Sequence, residues 1–192
     1  MSQPDLLTPG SHRVAHLVDD AALVAALVEV ERAWLVALQA AGFAQPGDAD
    51  RLAAAVAGWQ PDLDPVAVEG AGTPVLAVVN ALRARVDDDA FAARIHRGLT
   101  SQDVLDTALV RVATSVLTRV DADLTTTCET LAGMAADHRG SIMAGRTLTQ
   151  HAVPTTFGLK AAQWLHRLLD ARETVRSACV KAPVQQIGRA HV

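Results

Sequence analysis

Two short stretches hold most of the side chains that could do chemistry: Arg97 to Thr107, "RGLTSQDVLDT", and Gly145 to Gly158, "GRTLTQHAVPTTFG". Each crowds hydroxyl, amide and carboxylate groups where a loop feeds a helix-forming run. In the first, Thr100 or Ser101 can cap a helix, Gly98 loosens the turn before it, and Asp103 lies in the first turn, where negative charge suits the dipole. The same adjacent hydroxyls, beside free backbone N–H groups at the positive end of a helix, also make a place for a substrate carboxylate. The local residues leave capping and binding both open. The second stretch supplies Arg146, Thr147, Thr149, Gln150 and His151. Arg146 can pair with an anion, and His151 is the one group there whose ordinary pKa lies near neutrality. His96, just before the first stretch, is a second histidine that could exchange a proton. For each of these the alternative is a solvated loop residue. There is no Gly-rich phosphate loop, no nucleophile elbow and no His/Glu spacing for zinc, so neither a metal nor a nucleotide cofactor is expected.

Helices must position these groups. Of the 192 residues 50% are hydrophobic but only 3% aromatic, with no Tyr, so the core is an Ala/Leu/Val mixture of high helix propensity and the expected class is all-α. Leu23, Leu27, Val30, Trp34 and Leu38 recur every three or four positions, predicting a helix from Asp19 to Ala41 that stops at Gly42. Shorter helices are expected from Asp48 to Trp59 and from Pro74 to about Val86, with "VEGAGTP" as the glycine-rich connection between them. A helix of ~35 residues, roughly 50 Å long, should run from Ser101 or Gln102 to about His138. Ser141 to Pro154 reads as a loop, and a last long helix as Thr155 to about Val180. Helices this long need apolar partners along their length, which predicts an oligomeric bundle.

A net charge of −4 and a pI near 5.9 provide no basic face for nucleic acid. No apolar run reaches the roughly 18 residues of a membrane span, and "MSQPDLLTPGSH" lacks the pattern of a signal peptide, so a cytoplasmic protein without a membrane partner is expected. Cys128 and Cys179 have no metal-ligand spacing and read as buried free thiols.

Together "IHRGLTSQDVLDTA" and "GRTLTQHAVPTTFGLKAAQW" resemble two signatures of the fumarase/aspartase superfamily, and the resemblance runs from "LLTPGSHRVAHLVDD" to about Gln185. It implies an N-terminal helical domain over 1–98 and the first long helices of a central bundle over 99–185. It further implies a homotetramer whose active sites collect polar loops from three chains, and a small anionic carboxylate as substrate. Thr100 and Ser101 match positions that bind a substrate carboxylate, with Gln102 beside them. Thr147, Gln150 and His151 match the second substrate-facing segment, which also contains Arg146.

Departures narrow the resemblance. Adenylosuccinate lyases carry a His directly after "GRT", where Leu148 stands here, and another in a stretch replaced by "EGAGTPVLAVVNALR". That stretch looks like the muconate cycloisomerases, which usually have Trp at the Leu148 position. The expected activity is therefore that of a 3-carboxy-cis,cis-muconate cycloisomerase, an intramolecular lyase of aromatic catabolism. Its substrate carboxylate adds across its own conjugated double bond, and the enzyme stabilises charge developing on an aci-carboxylate without a metal. An adenylosuccinate-lyase-like enzyme is the second expectation, and a non-catalytic helical assembly module the third. The superfamily's catalytic serine, on a mobile Gly/Ser-rich loop, is expected beyond Val192, so residues 1–192 alone should be inactive. After "KAPVQ" the resemblance gives way to "QIGRAHV", and one back-translation of these residues reads like a sequencing-library adapter. Residues 186–192 are therefore expected to be an artefactual tail.

Overall fold

A computed structural model describes residues 7–86 and 88–181, which form seven α-helices and one β-hairpin. The fold is all-α apart from that hairpin. The tail expected at 186–192 lies outside the described residues. Two compact units divide between Ala113 and Thr114.

In the first unit, α1 (Asp20–Ala40) starts where the Asp19 carboxylate accepts the Ala22 N–H at 3.0 Å, and it ends before Gly42, whose φ of 81° an L side chain would resist. Leu27, Leu35 and Leu38 are buried along its inner face. The next helix, α2 (Asp48–Ala55), stops short of the expected Trp59 because the chain turns at Val56–Gly58, with Gly58 at φ 68°. Part of the expected glycine-rich connection is instead a helix, α3 (Pro65–Ala71). Asp64 caps it by accepting the Val66 N–H at 3.0 Å, Pro65 pre-sets its first turn, and Gly72 closes it in the left-handed region. Gly70 within it and Gly72 just after it hide that helix from a propensity reading.

Thr73 caps α4 (Pro74–Ala84), whose Val75, Val78, Val79 and Leu82 pack into the same core. The single turn α5 (Asp89–Ala92) buries Phe91. Fully burying each such side chain contributes about 1.5–3 kcal/mol. Asp48, 1% exposed, lies in this core but is fully matched. Arg94 donates to it at 2.6 and 3.1 Å, the Gln45 N–H at 2.9 Å and Arg51 at 3.4 Å. Burial alone would raise the Asp48 carboxyl, but the Arg94 and Gln45 hydrogen bonds and the charges of Arg94 and Arg51 outweigh it and hold its pKa below the ordinary 3.8.

The long helix α6 (Ser101–Asp137) has 37 residues, close to the expected length, and passes from the first unit into the second. Its first turns bury Val104 and Ala108 in the first unit. In the second unit it carries Cys128 and Leu131, buried as expected of an apolar seam, while Cys179 is only half-buried.

The loop expected over Ser141–Pro154 is instead an antiparallel hairpin of β1 (Ile142–Thr147) and β2 (Gln150–Thr156). Ile142 pairs with Thr156 and Thr147 with Gln150, with an irregularity between Ala144 and Arg146. The β-branched Ile142, Thr147, Val153, Thr155 and Thr156 favour this state, and Leu148 and Thr149 form a turn too short for a helix-period reading to detect. Because β2 uses residues through Thr156, α7 (Phe157–Lys181) begins two residues later than expected. Gly158 lets α7 meet the end of α6 closely, since a Cβ there would lie 2.7 Å from the Ala135 oxygen and the Arg139 nitrogen. Farther along, Asp121 of α6 accepts from Arg176 at 2.9 Å and Arg172 at 3.2 Å of α7.

Candidate functional site at two helix entrances

At the start of α6 the two hydroxyls of the first polar stretch differ in their partners. Thr100 is the cap: its N–H and hydroxyl both donate to the Asp103 carboxylate, at 2.9 and 2.8 Å, and its hydroxyl accepts the Asp103 N–H at 3.3 Å. This is a capping box with Asp in the place of Glu. Gln102 donates to Asp106 at 2.6 Å. The Ser101 hydroxyl has no hydrogen-bond partner among the described residues. Asp103 already answers part of the helix dipole, so the Ser101 hydroxyl together with the first-turn N–H groups is what remains to receive an external anion.

What holds this entrance is a grip on the three residues Ile95–Arg97, which was not foreseen from the sequence. Arg83 of α4 donates to the Ile95 oxygen at 2.8 Å, and the Trp34 indole of α1 donates to the Arg97 oxygen at 2.7 Å. Between them Glu31 of α1, 0% exposed, accepts the His96 backbone N–H at 2.9 Å and lies 2.6 Å from His96 Nδ1. His96 itself takes φ 63°, a conformation uncommon outside glycine. The signal was present in the sequence: Glu31 stands between Leu27 and Leu35 on the buried stripe of α1, where a carboxylate needs an explanation. His96 is thus bound into the wall of this entrance, its side chain 12% exposed.

In the second unit the hairpin brings the second stretch together in pairs. Arg146 and His151 are directly opposite across the ladder, and Thr147 and Gln150 flank the two-residue turn, where Thr149 takes φ 62°. Residues directly opposite project from the same face. All four are exposed, as is Leu148, at 90%, on the turn. A guanidinium beside an imidazole can hold an anionic group and exchange a proton with it. A surface cleft of about 460 Å³ in the first unit is lined by Phe43, Arg94 and Arg97 but by none of the hydroxyl groups. Among the described residues no three His, Cys, Asp or Glu side chains converge in a way that could hold a metal ion.

A family model described as lyase matches residues 48–191, which include both polar stretches. The nitrosuccinate lyase of Streptomyces davaonensis is 46% identical over 180 residues, covering 90% of this chain and 37% of that protein. The 3-carboxy-cis,cis-muconate cycloisomerase of Bradyrhizobium diazoefficiens is 43% identical over 107 residues, 55% of this chain and 24% of that protein. The chain therefore spans well under half the length of these relatives. Among solved structures, the 3-carboxy-cis,cis-muconate lactonizing enzyme from Pseudomonas putida superimposes with a TM-score of 0.84 at 27% identity, over 93% of this chain and 42% of that one.

Proposed function

The chain belongs to the lyase family of the fumarase/aspartase superfamily, and on that premise we propose that it serves a lyase acting on a small polycarboxylate, with elimination of nitrite from nitrosuccinate as the first reading. The observation that carries this is the 46% identity to a nitrosuccinate lyase across a segment holding both helix entrances. In such a step a base takes the proton from the carbon next to one carboxylate, a C=C bond forms, and the C–N bond breaks so that nitrite leaves with its electron pair and fumarate remains. The negative charge that gathers on the aci-carboxylate is what the enzyme must stabilise. Ser101 and the α6 N-terminus would receive one carboxylate, with Thr100 holding that turn and Gln102 beside it. Arg146, Thr147 and Gln150 would face another anionic group, and His151 is the residue available for proton exchange. The working unit would be a cytoplasmic homotetramer that assembles these segments from different chains.

The second reading is cycloisomerisation of 3-carboxy-cis,cis-muconate, favoured by the 0.84 TM-score to an enzyme of that name. It uses the same charge stabilisation, with the proton delivered to carbon instead of removed. Ultraviolet assays of the full-length protein on nitrosuccinate, 3-carboxy-cis,cis-muconate and adenylosuccinate test both. Fumarate formed with equimolar nitrite is the expected result. Turnover of muconate without nitrosuccinate selects the second reading, and turnover of adenylosuccinate alone overturns both.

A further inference from the structure

Two carboxylates are buried among the described residues, and only one is matched by guanidinium groups. Asp48 has Arg94 and Arg51; Glu31 has no Arg or Lys partner among the described residues. Both Glu31 oxygens go to one residue, His96, through its backbone N–H at 2.9 Å and its Nδ1 at 2.6 Å. An apolar side chain at position 31 would continue the stripe between Leu27 and Leu35 without the desolvation that a carboxylate costs. That cost is offset only by what Glu31 does to His96. With the carboxylate facing both the His96 backbone N–H and Nδ1, the imidazole is held in one orientation. The same contact holds His96 at φ 63°, and four residues later the chain reaches Thr100 and the entrance of α6.

We propose that Glu31 is a positioning residue for the α6 entrance: by holding the backbone and ring of His96 it sets the turn from which Thr100 caps the helix and Ser101 meets the substrate. The inference rests on the reading of that entrance as a carboxylate site.

The test compares the full-length protein as wild type, Glu31→Gln, His96→Gly and the double variant. Glutamine keeps the shape and one acceptor for the His96 N–H, whereas glycine accepts the left-handed turn and removes the ring. For Glu31→Gln, kcat/KM per folded molecule should fall about tenfold or more, and in the glycine background the same change should cost less than about twofold. An activity loss no larger than the loss of folded protein overturns the proposal, as does a full effect persisting in the glycine background. Should Glu31→Gln not fold, His96→Gly carries the test, with an expected drop of about fivefold in kcat/KM per folded molecule; wild-type kcat/KM overturns the proposal. If the wild type turns over none of the three substrates, the functional reading fails by itself. Positioning is then read from hydrogen exchange of amides 96–101, which Glu31→Gln should speed by about tenfold; unchanged exchange overturns it.

Discussion

Thr100 and Ser101 are adjacent hydroxyls with different partners, and on the proposed reading their variants should separate. Thr100→Val removes both halves of the bond to Asp103 and should cost about 0.5–2 kcal/mol of stability, read by denaturant melts. Ser101→Ala breaks no hydrogen bond among the described residues and should leave the melt unchanged while lowering kcat/KM about tenfold in the full-length protein. Equal stability loss and equal kinetics in the two variants would return both hydroxyls to capping. At Asp48 the folded carboxyl titrates below its ordinary 3.8. Its contribution to stability is therefore complete above the unfolded pKa and is lost as pH falls through the folded one. Asp48→Asn should flatten the decline of melting temperature below about pH 4, and a wild-type slope would show that other carboxylates set acid stability. The cluster "GLTSQD" could be read as cap or site from sequence, but which hydroxyl caps the helix could not. It depends on where the Asp103 side chain turns, and spacing does not determine that.

At the level of elements, the hairpin and the α6–α7 junction show where periodicity succeeds and fails. The long helices were readable because apolar residues recur over many turns. The hairpin was not, since its strands are six and seven residues long and largely exposed, so alternation carries little burial signal. The junction depends on Gly158, and Gly158→Ala should cost about 1–3 kcal/mol because its Cβ would press on backbone atoms at 2.7 Å that cannot swing aside. Circular dichroism melts measure this, and a wild-type midpoint would mean that α7 shifts to accommodate the methyl group.

Over the whole chain, Val120 on α6 and Leu159, Trp164 and Leu169 on α7 stand exposed in the second unit, as do Leu148 and Val153 of its hairpin. Exposed apolar surface of this kind favours association, so residues 1–192 expressed alone should be helical by circular dichroism and larger than a monomer by light scattering. A monodisperse monomer would show that these side chains need no cover. Composition and periodicity by themselves determined that the chain is all-α, that one helix is unusually long, with 37 residues in the structure, and that the polar residues gather in two stretches ahead of long helices, because these are local properties of propensity and spacing. Tertiary structure alone decided that Glu31 grips His96 across 65 positions of sequence and that Arg146 stands opposite His151. Those pairings follow from how helices cross and how a strand doubles back, which no local pattern of residues encodes.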